Sequence, residues 1–136
     1  MFWKNIFGLV LLGLLLAACS GQATANGHPN NVAVGDPAAG ETLFKQGIIK
    51  SAPGCINCHS IGPVQAGNGP SLYGEANIAG TRVKGQSAEE YLRTSILDPD
   101  AYIVQGFPSG IMYQDFKDVL TDQQVNDLVA YLLTLK

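Results

Sequence analysis

Cys55-Ile56-Asn57-Cys58-His59 places two thiols and an imidazole within one short stretch. The pattern is C-x-x-C-H, and its chemistry is attachment of a c-type haem. Each thiol adds across one haem vinyl group, giving two thioether bonds, and the histidine reaches the iron from one face. Two intervening residues let both sulfurs face one edge of the porphyrin. A helical turn then brings His59 round underneath. Three other readings compete. A thioredoxin-like redox pair needs a βαβ context, and none is visible. A structural zinc site takes four ligands, and the only other Cys and His residues, Cys19 and His28, sit in an N-terminal region that reads as unfolded. A chance match is the last.

An iron held by His59 needs a sixth ligand or an open site. Thioether is a common partner to histidine and raises the reduction potential. Met112 is the one methionine apart from the initiator, and it is the expected ligand. Its bland alternative is a packing residue. His28 competes only if the N-terminal segment reaches in. A metal-bound imidazole almost always donates its other N–H to an acceptor. The loop Asn68-Gly69-Pro70-Ser71-Leu72-Tyr73-Gly74 lies about ten residues downstream and can supply one, because proline keeps a carbonyl acceptor.

These groups must be positioned by helices. Asp36-Pro37 suits an N-cap followed by the first helical residue, and the helix is expected to run to about Gln46 and stop at Gly47. Gly40 and Phe44 share a face four apart, and a glycine inside a helix often marks a close approach. Ile48 to Gly54 reads as a connector. Ser87 with Glu90 forms a capping box, predicting a helix over Ala88 to Leu97 that ends at Asp98-Pro99. Its stripe of Tyr91, Leu92, Ser95 and Ile96 reads as core. Tyr102 to Asp118 reads as mostly irregular. Thr121 with Gln124 repeats the capping box and predicts a last helix to Leu135, its apolar face carrying Val125, Leu128, Val129, Leu132 and Leu133.

Residues 1–18 are expected to be a cleaved secretory leader. Lys4 precedes an apolar run from Ile6 to Leu16, too short for the ~20 residues of a membrane span. Ala17-Ala18 supplies small residues before the cut. Residues 19–35 are poor in large apolar side chains and read as a flexible tether. Ser20 to Gly35 would average roughly 20–24 Å end to end. Residues 36–136 form the domain. The formal net charge of −3 is mild, and no basic run suggests nucleic acid.

Together these pieces resemble a class I mono-haem c-type cytochrome. The resemblance covers Asp36 to Lys136 and implies an all-α fold, three to five helices around one covalent haem c, with the N- and C-terminal helices crossing. It matches Gly40 and Phe44 to a Gly-x-x-x-Phe pair on the first helix, and Leu128 and Tyr131 to its partners on the last. It implies that the Pro70 carbonyl accepts the His59 N–H and that Leu72 packs on the haem. It also places Arg82 at a haem propionate, with Tyr102 a second candidate for that role. Where many relatives have proline directly after the methionine, this chain has Tyr113. Leu16-Ala17-Ala18-Cys19 resembles the bacterial lipobox, which implies lipidation at Cys19. The Ser95-Ile96 to Pro99 segment, the Val104 to Met112 loop and the last helix are similar to cytochrome domains of respiratory complexes, such as the domain fused to oxidase subunit II and the mono-haem subunit of alternative complex III.

The expected function is single-electron transfer by a non-enzymatic carrier. It would be lipid-anchored on the outer side of a bacterial membrane, in a respiratory or photosynthetic chain. Its expected partners are redox proteins, among them a quinol-oxidising complex or terminal oxidase. The competing function is a haem enzyme or gas sensor with an open iron site.

Overall fold

The first helix begins as its cap dictates: the Asp36 side chain accepts the N–H of Ala38 at 2.9 Å. The computed structural model describes residues 34–136. Residues 1–18, Cys19 and His28, with all of the tether before Val34, lie outside the described residues. Helix α1 covers Pro37–Phe44. It ends two residues before the expected point because Gln46 N–H turns back to the Leu43 carbonyl at 3.2 Å, tightening the last turn.

The expected connector carries a small antiparallel pair, β1 (Ile48–Ile49) and β2 (Ala52–Pro53). Gly54 closes it by donating to the Gly47 carbonyl at 2.9 Å. A 3-10 turn follows at Cys55–Asn57. Helix α2 (Glu75–Arg82) is an element the sequence reading did not contain. Its N-cap is Gly74, in the left-handed region at φ 73, with no side-chain cap. Along the helix only Glu75 and Ala79 are buried, so neither a cap nor an apolar period announced it.

Helix α3 (Ala88–Leu97) starts with both halves of its capping box formed. A 3-10 turn at Pro99–Ala101 follows it. The stretch from Tyr102 is irregular as expected, except for a one-turn helix α4 (Phe116–Val119). Helix α5 (Asp122–Leu132) has the second capping box and ends three residues early. Beyond it, the Leu135 carbonyl accepts Ala76 N–H at 3.0 Å, tying the C-terminus to α2.

The main packing contact is α1 against α5, as expected from Gly40. A Cβ on Gly40 would stand 1.9 Å from the Asp127 carbonyl oxygen and 2.8 Å from Tyr131 Cβ. Phe44 and Tyr131 rings meet at 5.4 Å between centroids. The contact also reaches Gly35, where a Cβ would lie 2.0 Å from the Asn126 carbonyl oxygen. The buried Asp127 carboxylate accepts from Asp36 N–H and Gln123 Nε2, each at 2.8 Å, so its charge is not left unpartnered. Arg93 on α3 donates to Asn126 and Asp122 on α5 at 2.5 and 3.0 Å. Three helices are thereby braced around one open side. Among the described residues, no helix is long and apolar enough to cross a membrane.

Candidate metal centre

One carbonyl organises the cysteine–histidine turn. The Cys55 oxygen accepts from Cys58 N–H at 3.1 Å and from His59 N–H at 3.0 Å. The turn therefore directs Cys55, Cys58 and His59 into the same cleft. Cys55 and Cys58 are not joined in a disulfide, and both are partly buried. Burial pushes the Cys55 thiol up to about 11, so it is protonated at neutral pH. Among the described residues, no group of three or more His, Cys, Asp or Glu side chains converges as a metal site. The pair therefore lacks the further ligands of a structural zinc.

His59 Nδ1 lies 2.9 Å from the Pro70 carbonyl oxygen. A carbonyl only accepts, so Nδ1 carries the proton and Nε2 keeps its lone pair. Burial lowers the imidazole's proton affinity, with the Pro70 bond opposing; the neutral ring is the metal-binding form. The loop that brings Pro70 here is strapped down. Gly69 N–H donates to the Cys58 carbonyl at 2.9 Å, and Leu72 N–H to Ser60 at 2.8 Å. Gln65 bonds both the Gly69 carbonyl and Ser71 N–H. A Cβ on Gly69 would sit 2.6 Å from His59 Cε1 and 2.8 Å from Nδ1. Only a bare backbone lets the ring lie this close.

The facing wall comes from α3 and the irregular loop. Tyr91, Leu92, Ser95 and Ile96 line the cleft. The stripe expected to be core is thus core and cleft wall at once. Met112 lines the same cleft, partly buried, its carbonyl accepting from Gln114 Nε2 at 2.8 Å. Leu72 and Tyr102 line it as well, and Tyr102 stacks edge-on against Tyr91 at 5.6 Å. Arg82 is not part of the lining. It donates from Nε and Nη2 to Glu75 at 3.3 and 3.0 Å, and this bonding is what raises the guanidinium's proton affinity.

Glu75 is the residue that sequence reasoning missed. It is 3% exposed and lines the cleft. Its signal was present: Glu75 and Arg82 are seven apart, two helical turns on one face. That signal is readable only once α2 is known to be a helix.

The cleft fits a large, flat, mostly apolar group. Its lining is mostly apolar and runs from the Cys55–His59 turn to the Met112 loop, with α3 between them. His59, whose Nε2 keeps its lone pair, lines the cleft together with Cys55, Cys58 and Met112. A small helical domain with this donor set is a haem-binding domain of the c type. The family model for cytochrome c matches residues 37–136. Cytochrome c2 of Blastochloris viridis is 31% identical over 142 aligned residues, covering 95% of this chain and 91% of that protein. The chain belongs to the cytochrome c family. It is a class I mono-haem electron-transfer cytochrome with a covalently bound c-type haem.

Proposed function

We propose that His59 and Met112 are the axial ligands of the haem iron, that Cys55 and Cys58 hold its two thioethers, and that the protein is a membrane-anchored single-electron carrier. The observation that carries the ligand pair is that His59, with its Nδ1 proton on Pro70, and Met112 line one largely apolar cleft. The haem supplies one-electron cycling between ferric and ferrous iron. The Pro70 carbonyl holds the His59 ring in one tautomer and strengthens its donation to a metal. The Met112 thioether raises the potential. Leu72, Leu92 and Ile96 line the cleft and would keep water from the group, and with His59 and Met112 both holding the iron no position would remain for a substrate or gas. This favours a carrier over the enzyme or sensor reading. Arg82, held by Glu75, supports the propionate side of the group as a proposed role, with Tyr102 beside it.

A ferric spectrum tests the ligand pair. The wild type should show a far-red band from sulfur ligation and bind no carbon monoxide when reduced. Met112→Ala should lose the band and drop the potential by more than about 59 mV, a tenfold change in relative stability of the two oxidation states. An unchanged spectrum and potential would overturn the assignment.

We infer export from the leader at residues 1–18, and an anchor from Leu16-Ala17-Ala18-Cys19. Two or more acyl chains hold a protein firmly, where one holds weakly. Cys19→Ser should move the protein from the detergent to the aqueous phase of a phase partition; unchanged partitioning would refute the anchor. A respiratory or photosynthetic chain is the proposed setting, with a quinol-oxidising complex or a terminal oxidase as partner. Co-purification in mild detergent separates a complex subunit from a free carrier.

A further inference from the structure

Met112 has to be held by a loop without regular structure. The backbone turns at Gly106 and Gly110, at φ 94 and 70, and a Cβ at either would meet nothing within 4 Å. No neighbouring group covers these two glycines, while further along Tyr113 stacks on Phe116 with ring centroids 5.1 Å apart. The last backbone bond before the methionine is Phe107 N–H to the Val104 carbonyl at 3.1 Å. Among the described residues, the backbone from 108 to 114 is held by two side chains only, Asp100 and Gln114.

Asp100 stands on the 3-10 turn Pro99–Ala101 directly after α3. That base is firm. Pro99 is buried, Asp98 N–H donates to Thr94 at 2.7 Å, and Ala101 N–H to Asp98 at 3.0 Å. Both Asp100 oxygens accept the Gly110 N–H, at 3.0 and 3.1 Å. Oδ1 also accepts a longer bond from Gln114 Nε2 at 3.4 Å. The same Gln114 amide donates to the Met112 carbonyl at 2.8 Å. A side-chain amide has two N–H bonds, so it can serve both acceptors at once. The carboxylate thus bridges the two flanks of the methionine, and charge-assisted bonds of this kind are the stronger ones.

We propose that Asp100 is a positioning residue for the Met112 thioether. It transfers the rigidity of α3 to the ligand loop and so sets how readily another ligand displaces the sulfur from iron. The proposal rests on Met112 being the axial ligand. Its effect is on the loop's opening equilibrium, not on the iron directly.

Imidazole titration of the ferric holoprotein, followed by loss of the far-red band, measures that equilibrium. Asp100→Ala should bind imidazole at least about tenfold more tightly than the wild type. Asp100→Asn keeps an acceptor for Gly110 and should recover most of the difference. Gln114→Ala removes the other half of the bridge without touching the 3-10 turn, and should shift affinity in the same direction as Asp100→Ala. If Asp100→Ala does not accumulate with haem, Gln114→Ala carries the test and is expected to bind imidazole more tightly than the wild type. An imidazole affinity within twofold of the wild type in Gln114→Ala, or in Asp100→Ala where it accumulates, would overturn the proposal. So would an Asp100→Asn variant no better than Asp100→Ala. Met112→Ala distinguishes the two levels: if it leaves the band intact, the ligand reading itself has failed, and if it removes the band while the bridge variants are silent, only the role of Asp100 has failed.

Discussion

Gly69 shows most directly how single residues set this site. Three ring atoms of His59 lie within 3.0 Å of where its Cβ would be, so Gly69→Ala must move the ring or the loop. Either movement breaks the 2.9 Å bond to Pro70. Overpacking of this kind costs about 1–3 kcal/mol, and the expected outcome is a lower denaturation midpoint together with a perturbed haem spectrum. A stable variant with an unaltered spectrum would show that the ring is less tightly seated than the geometry implies. Glu75 makes a different point at the same scale. A carboxylate in an apolar wall is costly unless paired and hydrogen-bonded, and the Arg82 fork provides both. The five-residue haem motif was legible because its chemistry is written in residue type, and residue type is also what makes Met112 a candidate ligand. Glu75 was not legible, because a glutamate has meaning here only through its burial.

At the scale of elements, local signals were read well and long-range ones poorly. Both capping boxes formed, since a hydroxyl and a carboxylate or amide three residues apart need nothing beyond their own turn. The Ser87–Glu90 box makes a pH prediction. Bonds from the Ser87 backbone and side chain hold the Glu90 carboxyl below its ordinary value of 4.5. A lowered folded value stabilises the fold above the unfolded value, and the contribution is lost as pH falls through the folded one. Glu90→Ala should therefore be less stable than the wild type at pH 6–7, and the gap should close as pH drops below about 4. Denaturant midpoints across that range check it, and a gap constant into strong acid would contradict it. Helix α2 escaped notice because Gly74 caps it by backbone conformation alone. The α3 stripe was read as core, and periodicity has no means of saying that one side of a buried face borders a cleft.

For the whole molecule, the distribution of charge matters more than its sum. Residues 51–74 and 103–114 contain no Lys, Arg, Asp or Glu, and they supply much of the cleft's lining. Of the acidic side chains that line it, Glu75 is paired with Arg82 and Asp100 is bonded to the ligand loop. These two stretches bring no side-chain charge to the cleft, although the chain carries −3 overall; Asp100 and the haem propionates would be the negative groups beside it. Long-range steering needs a charged entrance, and exposed charges more than about 10 Å away are screened at 0.1 M salt. Oxidation of the reduced protein by ferricyanide should therefore change by less than about threefold between about 100 and 300 mM salt, where remote charges are screened. Ile111, 51% exposed at the rim, offers the contrast: Ile111→Lys should speed the reaction at low salt and make it fall as salt rises. A steep dependence in the wild type would mean that charges remote from the mouth govern approach.

The sequence by itself determined the haem attachment motif, the nature of both candidate iron ligands, the helix starts at Asp36, Ser87 and Thr121, and the close contact implied by Gly40. All of these depend on covalent spacing or on groups within one or two turns of each other. Only the tertiary structure decided that α2 is a helix, that Arg82 is bound to Glu75, that Gly69 must be bare beside His59, and that Asp100 reaches across to the methionine loop. Those features join residues whose proximity is created by packing α3 and α5 around an open side, and no pattern along the chain encodes that distance.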